Sequence, residues 1–219
     1  MTGHHRLVVF DCDGTLVDSQ RLIVDCVQEA FAGEGLAVPT PEAIRRIVGL
    51  SLVAAVDRLM GGADPAHAAV VAERYKDVFL RRRLAGPVEE PLFPGTRELL
   101  DELRRRGLLL GIATGKAIRG LRHVLASHRL EAYFLTLQTA DRHPSKPHPA
   151  MLEAAMAETG ARPEETVLVG DTTFDIEMAR SARALPVGVA WGNHPAEELH
   201  AAGAAAVLDR CDELLALLR

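Results

Sequence analysis

Cysteine is scarce in this chain, and long apolar runs are absent from its beginning. The 219 residues include three cysteines and no CxxC pair, which suits a reducing cytosol better than a compartment where disulfides form. Near the N-terminus only residues 7–10 form an apolar run before the first aspartate, too short for a signal peptide or a membrane span. We therefore expect a cytoplasmic protein with no membrane partner.

An excess of basic residues is also lacking. Lysine and arginine total 25 against 30 acidic residues, and the formal net charge is −5. Such a balance provides no general affinity for nucleic acid or for anionic membranes. We expect a small-molecule partner and a chain that acts as a monomer or a homodimer.

Short apolar runs alternate with amphipathic helical stretches along most of the chain. This alternation implies right-handed crossovers and a parallel sheet. Continuous apolar runs such as VVF at 8–10 suit strands that are covered on both faces. The sequence therefore predicts an α/β fold with a Rossmann-like parallel sheet. The predicted strands are residues 7–10, 108–113, 133–137, 166–169, 187–190 and 205–208.

The alternation fails between residues 17 and 90, where only helices are predicted. We interpret residues 17–90 as an inserted helical domain and residues 1–16 with 91–219 as the α/β core, with hinges near 15–18 and 86–93. Pro87 and Pro91 interrupt the helical pattern at the second hinge. One continuous mixed domain is the alternative. The predicted inserted helices are residues 19–32, 41–48, 52–60 and 65–83.

Two aspartates follow the first predicted strand directly. Asp11 and Asp13 are spaced i, i+2, so their side chains would lie on one side if the strand continues. Such a pair is tolerated when a cation lies between the carboxylates or one holds a proton, and Mg²⁺ prefers oxygen ligands. One carboxylate could attack phosphorus while the other protonates the leaving oxygen. The alternative is a β-hairpin, because Asp13-Gly14 is a strong turn signal.

Two later segments offer groups that suit a phosphate. Thr114-Gly115 ends a predicted strand and opens a helix, where hydroxyl and backbone N–H groups hold anions; a plain helix cap is the alternative. Pro147 and Pro149 stiffen the loop around Lys146. A fixed lysine could neutralise charge that develops during phosphoryl transfer, although a solvated surface lysine is the alternative.

A further segment carries two more aspartates. Asp171 ends a buried-type strand and fits a metal ligand, and Gly170 before it permits a close approach to the metal. Asp175 begins the next helix, where a capping role competes with a role beside the metal. Ligands of open α/β sheets bind at the carboxyl ends of strands. We therefore expect all four segments to meet at one edge of the sheet, around phosphate and Mg²⁺.

These segments resemble, in order, the four motifs of the haloacid dehalogenase-like hydrolase superfamily. The first motif matches residues 11–19 (DCDGTLVDS), the next two match Thr114 and Lys146, and the fourth matches residues 170–175 (GDTTFD). The resemblance covers nearly the whole chain. The helical insertion is similar to the small α-helical cap of the family.

The resemblance implies roles in phosphoryl transfer. Asp11 would be the nucleophile, and Asp13 would be the general acid and then the base for water. Thr114 and Lys146 would bind the phosphoryl group, beside the backbone of Gly115. The second acid, Asp13, argues against the dehalogenases that name the superfamily, because these lack it.

The resemblance also implies a Mg²⁺ site. Asp11 and Asp171 would be ligands, the backbone carbonyl of Asp13 would contribute, and Asp175 would lie close behind.

The tail of the chain points to one subfamily, with one departure. Residues 187–192 (VGVAWG) are similar to phosphoglycolate phosphatase-like members. Those members usually have Ala-Gly after the helix of the fourth motif, whereas this chain has Ala182-Arg183. A glycine there would end the helix in a left-handed turn. Its loss weakens the subfamily assignment but leaves the site residues unchanged.

We therefore expect a Mg²⁺-dependent phosphatase that forms a phospho-aspartate on Asp11. Its substrate would be a small phosphorylated metabolite, with 2-phosphoglycolate as the leading candidate. A phosphomutase, a pyrophosphatase or a nucleotidase would use the same core residues. The non-enzymatic alternatives are a receiver-like domain and a silent phosphate-binding protein. Receivers lack a helical insertion after the first strand, and the complete set of acids, Thr114 and Lys146 argues against a silent protein.

The inserted helices contain candidates for gripping a substrate anion. These are Arg45, Arg46, Gly49 and Ser51, and their alternative is a solvated helix face.

Overall fold

The computed structural model describes residues 4–62, 64–86 and 88–218. Pro87, which we expected to interrupt the chain at the second hinge, lies outside the described residues. No described helix is long and apolar enough to cross a membrane.

Six parallel strands form one sheet in the order β3-β2-β1-β4-β5-β6. This arrangement confirms the predicted α/β fold. Strand β1 lies in the middle and pairs with β2 and β4, so Phe10 at its end is level with Ile112 and Val169. The strands are β1 (Leu7–Phe10), β2 (Leu109–Thr114), β3 (Thr136–Thr139), β4 (Thr166–Gly170), β5 (Leu185–Val189) and β6 (Ala206–Leu208).

Strand β1 is completely buried, and its side chains alternate between two hydrophobic clusters. Val8 and Phe10 belong to the cluster on one face, and Leu7 and Val9 belong to the cluster on the other. Strand side chains point to opposite faces in turn, and a parallel sheet covered by helices needs apolar residues on both. This explains why VVF forms a central strand.

The helices fall into two groups along the chain. Four lie between β1 and β2 and are called the helical insertion: α1 (Gln20–Gly33), α2 (Pro41–Arg45), α3 (Leu52–Leu59) and α4 (Pro65–Ala85). The others cover or flank the sheet: α5 (Thr96–Arg105), α6 (Ile118–Ser127), α7 (Ala150–Thr159), α8 (Thr173–Ser181), α9 (Ala196–Ala202) and α10 (Leu214–Leu217).

The helical insertion has its own hydrophobic cluster, which includes Phe31, Ile44 and Val71. The two chain segments that lead into and out of it lie side by side: Val17 and Leu92 form an antiparallel bridge. The exact bounds of residues 17 and 90 for this domain stay a prediction.

Two local features differ from what the sequence pattern predicts. The strand expected at 133–137 begins only at Thr136, because Glu131–Tyr133 forms a 3₁₀ turn. Arg183, which stands where a glycine was expected, nevertheless adopts the left-handed conformation with φ of 60°. The helix end therefore keeps the shape that a glycine would provide at a lower energy.

Candidate active site

The carboxyl ends of three neighbouring strands supply the centre of the site. Asp11 follows β1, Thr114 ends β2 and Asp171 follows β4, and all three side chains are buried. The loop between β3 and α7 brings Lys146 to the same place, where its Nζ lies 3.0 Å from Oδ1 of Asp11. The Asp-Gly sequence does not make a hairpin, because β1 pairs in parallel with β2 and β4.

Three buried carboxylates could hold a metal ion. Asp11, Asp171 and Asp175 each offer an oxygen, and these atoms lie within 4.8 Å of one another. Among the described residues, no hydrogen-bond donor is aligned with either oxygen of Asp11. With the Lys146 ammonium as its close cationic neighbour and no aligned hydrogen bond, the burial of this carboxylate stays costly, and a divalent cation would reduce that cost. The donor set, all oxygen, fits Mg²⁺.

Burial strongly perturbs the nucleophile candidate. It raises the pKa of Asp11 to about 8; the ammonium of Lys146 opposes this rise, and the carboxylates of Asp175 and Asp171 add to it. Burial also disfavours the charged form of Lys146, but Asp11 and Asp175 outweigh that effect, so its pKa lies above its usual value. Lys146 therefore stays a cation beside the site where a phosphoryl group would bind.

Asp171 is fixed by hydrogen bonds to both of its oxygens. Thr15 donates to Oδ1 at 2.9 Å, and Asn193 donates to Oδ2 from its backbone N–H and from its side chain, each at 2.8 Å. Burial and Asp175 raise the pKa of Asp171 to about 6, against these donors. Gly14 has φ of 87°, and a Cβ there would lie 2.2 Å from Oδ2 of Asp171. Only glycine permits this close packing.

The carboxylate of Asp175 accepts hydrogen bonds from two residues, Thr172 and Lys146. Its Oδ2 accepts hydrogen bonds from the backbone N–H and the hydroxyl of Thr172, which caps helix α8. Its Oδ1 accepts a 2.6 Å hydrogen bond from Lys146. Asp175 therefore caps helix α8 and bonds to Lys146, and its role beside a metal stays a prediction.

Asp13 lies apart from the three clustered carboxylates. Ser19 donates a 2.6 Å hydrogen bond to its Oδ1, and Nζ of Lys116 lies 3.0 Å from the same oxygen. Lys116 also pairs with buried Glu90 at 3.1 Å. Both of these contacts of the Asp13 carboxylate involve Oδ1, and this carboxylate is not part of the group formed by Asp11, Asp171 and Asp175.

The helical insertion closes against the predicted phosphate site. A Cβ on Gly115 would lie 2.4 Å from the carbonyl oxygen of Leu50 and 2.5 Å from that of Gly49. Ser51 donates its backbone N–H to the Ser145 hydroxyl at 2.8 Å, next to Lys146. Two of the candidates in the insertion, Gly49 and Ser51, thus lie beside the site.

The two arginine candidates have other partners. Arg45 pairs with Glu42 on the surface of the insertion. Arg46 makes a two-pronged ion pair with Glu198 of α9, at 2.5 and 2.7 Å. Arg45 therefore does not reach the site, and Arg46 links the insertion to the core instead of facing a substrate.

A cavity of about 640 Å³ extends from the strand ends into the helical insertion. Asp11, Asp13, Thr114 and Gly115 line its floor, and side chains of α1, α3 and α4 form much of the remaining wall. The size is typical of pockets that hold small organic ligands, about 300–1,000 Å³.

Sequence reasoning missed Asn193 and Glu90. Asn193 follows β5, so the rule that ligands gather at strand ends could have identified it. Glu90 lies in the linker that leaves the insertion, and no local pattern marks it. Its contact with Lys116 depends on how the linker packs.

Comparisons with known proteins identify a family and several similar chains. The family model described as haloacid dehalogenase-like hydrolase matches residues 8–189. A protein named probable phosphatase IndB, from Dickeya dadantii strain 3937, is 34% identical over 212 residues, which cover 95% of this chain and 91% of that protein. A phosphoglycolate phosphatase of Photorhabdus laumondii is 31% identical and covers 97% and 92% respectively.

A solved structure agrees as well. A protein from Clostridium acetobutylicum described as a predicted phosphatase superposes with a TM-score of 0.87 at 26% identity, over 97% of both chains. With the family model spanning the sheet from β1 to β5, the chain belongs to the haloacid dehalogenase-like hydrolases.

Proposed function

We propose that this protein is a Mg²⁺-dependent phosphatase that hydrolyses a phosphomonoester through a phospho-aspartate on Asp11. One observation carries the proposal. Asp11 is completely buried, has no aligned hydrogen-bond donor on either oxygen among the described residues, and lies 3.0 Å from the ammonium of Lys146. A bare carboxylate beside a buried cation suits a nucleophile whose target carries negative charge.

Asp11 and Asp171 would hold the metal ion, with Asp175 in reach and the backbone carbonyl of Asp13 as a further ligand. When bound, Mg²⁺ neutralises charge on the phosphoryl oxygens and on the clustered carboxylates. Lys146 and the hydroxyl of Thr114 would bind the other phosphoryl oxygens, beside the backbone of Gly115.

The first step transfers the phosphoryl group to the protein. An oxygen of Asp11 forms a bond to phosphorus, and the bond between phosphorus and the ester oxygen breaks. Asp13, which must hold a proton at this stage, donates it to that oxygen, and the alcohol leaves. Because Ser19 and Lys116 both contact Oδ1 of Asp13, Oδ2 is the oxygen available to the leaving group.

The second step releases phosphate. Asp13, now a carboxylate, takes a proton from a water molecule, and the water oxygen forms a bond to phosphorus. The bond between phosphorus and Asp11 breaks, which restores the carboxylate and produces inorganic phosphate. Asp13 thus acts as a general acid in the first step and as a general base in the second, and one carboxyl group can do both.

The helical insertion acts as a cap in this proposal. The backbone of Gly49 and Leu50 approaches Gly115, and Ser51 bonds to the loop of Lys146. Closure there excludes bulk water from the site and protects the acyl phosphate until the alcohol has left.

The relatives named phosphoglycolate phosphatases make 2-phosphoglycolate the first metabolite to test. Phosphomutase, pyrophosphatase and nucleotidase activities are tested in the same panel by adding a sugar phosphate, pyrophosphate and a nucleotide. Released phosphate is the readout, and an isomerised sugar phosphate identifies a mutase.

The deciding experiment compares Asp11→Asn with Asp18→Asn, which removes the same charge at an exposed position of the same motif. We expect p-nitrophenyl phosphate turnover by the wild type in Mg²⁺ and its loss in EDTA. Asp11→Asn should abolish turnover, Asp13→Asn should reduce kcat by about 10²–10⁴-fold, and Asp18→Asn should resemble the wild type. Normal rates in folded Asp11→Asn would refute the covalent route.

A further inference from the structure

The wall that the helical insertion contributes to the cavity is mainly apolar. It includes Ile23 and Val27 of α1, Leu52 and Val56 of α3, and Tyr75 and Phe79 of α4. These side chains face the same space as Asp11 and Asp13. A molecule whose phosphorus lies at Asp11 would therefore have its remaining part against aliphatic and aromatic groups.

Charge in this cavity does not favour a second anionic group on the substrate. Its lining includes five carboxylates, of Asp11, Asp13, Glu73, Asp77 and Asp141, against four basic side chains, of Lys76, Arg83, Lys116 and Arg119. The lining thus carries no positive excess with which to attract a carboxylate in addition to the phosphate.

Of the four basic side chains in the cavity lining, the one that contacts Asp13 is already paired. Lys116 lies 3.0 Å from Asp13 and 3.1 Å from Glu90. Farther out, Lys76 pairs with Glu73, Arg83 lies over the Phe79 ring, and Arg119 is exposed. A carboxylate two bonds from the ester oxygen, as in 2-phosphoglycolate, would meet Lys116 only in competition with Asp13 and Glu90. Breaking a buried ion pair is expensive.

We propose that the alcohol part of the preferred substrate carries an apolar body, aliphatic or aromatic, that fills the cavity beneath α1, α3 and α4. This inference rests on the proposed phosphatase function. The apolar wall and the catalytic aspartates enclose one continuous cavity, so the molecule that reacts at Asp11 is also the one that contacts the wall. The volume of about 640 Å³ exceeds the need of a two-carbon alcohol, and burial of apolar surface supplies the binding energy.

Turnover of three phosphate esters separates the effect of apolar size from the effect of a carboxylate. Ethyl phosphate and 2-phosphoglycolate have the same carbon count and differ by the carboxylate, whereas ethyl and n-hexyl phosphate differ only in apolar length. We expect kcat/KM for hexyl phosphate to exceed that for ethyl phosphate by about tenfold or more, since one methylene in an apolar pocket already contributes about that factor. We expect 2-phosphoglycolate to be no better than ethyl phosphate.

Two valine variants test whether the preference for hexyl phosphate arises in the cavity. Val53 lines the cavity and is 43% exposed, so Val53→Asp should fold; Val70 of α4 is 52% exposed and is not among the lining residues. We expect Val53→Asp to reduce the hexyl-to-ethyl ratio several-fold and Val70→Asp to leave both rates unchanged.

The outcomes separate the two proposals. If 2-phosphoglycolate is turned over tenfold better than hexyl phosphate, or if hexyl and ethyl phosphate are equal, the apolar-body inference is overturned while the phosphatase proposal stands. If neither these esters nor p-nitrophenyl phosphate are turned over by the Mg²⁺-loaded protein, both are overturned.

Discussion

The ammonium of Lys146 donates a 2.6 Å hydrogen bond to Oδ1 of Asp175. The last aspartate of the fourth motif therefore holds the lysine of the third, and it does so where neither side chain is exposed to solvent. Because Asp11 lies 3.0 Å from the same ammonium, the position of Asp175 also affects how the lysine meets Asp11, the proposed nucleophile.

Replacement of Asp175 by asparagine tests this positioning. The amide can still accept the hydrogen bonds of Thr172, but the ion pair with Lys146 is lost. We expect kcat to fall about 10–100-fold, as for other residues that orient a catalytic or metal-binding group, with KM changing less. Because Lys146 keeps its contact with Asp11, loss of this hydrogen-bond partner should reduce the free energy of unfolding by about 1–3 kcal/mol.

Steady-state kinetics and urea unfolding measure both effects. Glu177→Gln, on the exposed side of the same helix, is the matched control and should alter neither. A kcat for Asp175→Asn within twofold of the wild type would show that Lys146 does not depend on it.

The raised pKa of Asp11 predicts how stability without metal depends on pH. The folded protein holds this proton up to about pH 8, whereas the unfolded chain releases it near the ordinary value of 3.8. Between these values the folded state binds more protons, so this carboxyl reduces the free energy of unfolding as pH rises. Mg²⁺ favours the ionised form and should therefore stabilise the protein more at pH 8 than at pH 5.

Thermal unfolding at pH 5 and pH 8, in EDTA and in Mg²⁺, measures this dependence. Asp11→Asn cannot titrate at this position and isolates the contribution of Asp11 from that of other groups. In EDTA, the Tm of Asp11→Asn minus that of the wild type should grow between pH 5 and pH 8. A constant difference would contradict the raised pKa.

Gly115→Ala should prevent the closed arrangement of the helical insertion. The added Cβ would lie 2.4–2.5 Å from two backbone oxygens of the insertion, at Gly49 and Leu50, and backbone atoms cannot yield as a flexible side chain does. We expect the insertion to move away from the core, kcat/KM to fall at least about tenfold because water is no longer excluded, and small-angle scattering to show a larger radius of gyration.

Gly33→Ala provides the control for that variant. Gly33 lies at the end of α1, and a Cβ there would meet only the Arg74 side chain, at 3.6 Å. The Gly33→Ala variant should keep the kcat/KM and the radius of gyration of the wild type. Gly115→Ala with unchanged scattering and unchanged kinetics would show that the close approach has no functional consequence.

Replacement of Arg183 by glycine should stabilise the protein. A left-handed conformation costs a residue with a Cβ about 1–2 kcal/mol relative to glycine, and the greater flexibility of glycine in the unfolded chain offsets part of this gain. We expect Arg183→Gly to raise the free energy of unfolding by about 0.5–1 kcal/mol. Arg183→Ala keeps the Cβ and should bring no gain. Equal stabilities of the glycine and alanine variants in urea unfolding would disprove this strain.

Several features of the fold were predictable because they depend on local patterns. The strand at residues 7–10 follows from a short apolar run, and the parallel sheet follows from its alternation with helices. The strand expected at 133–137 was displaced to Thr136–Thr139, because a 3₁₀ turn used the first residues of the apolar run. Periodicity does not reveal such a turn.

Local patterns in the sequence are enough to place Asp11, Thr114 and Asp171 at strand ends, because a buried strand followed by a polar residue is such a pattern. The hydrogen bond of Lys146 to Asp175, the contact of Asn193 with Asp171 and the apolar wall over Asp11 arise only when the chain folds. These contacts join residues distant along the chain, and the packing of loops and helices, not local pattern, sets their distances.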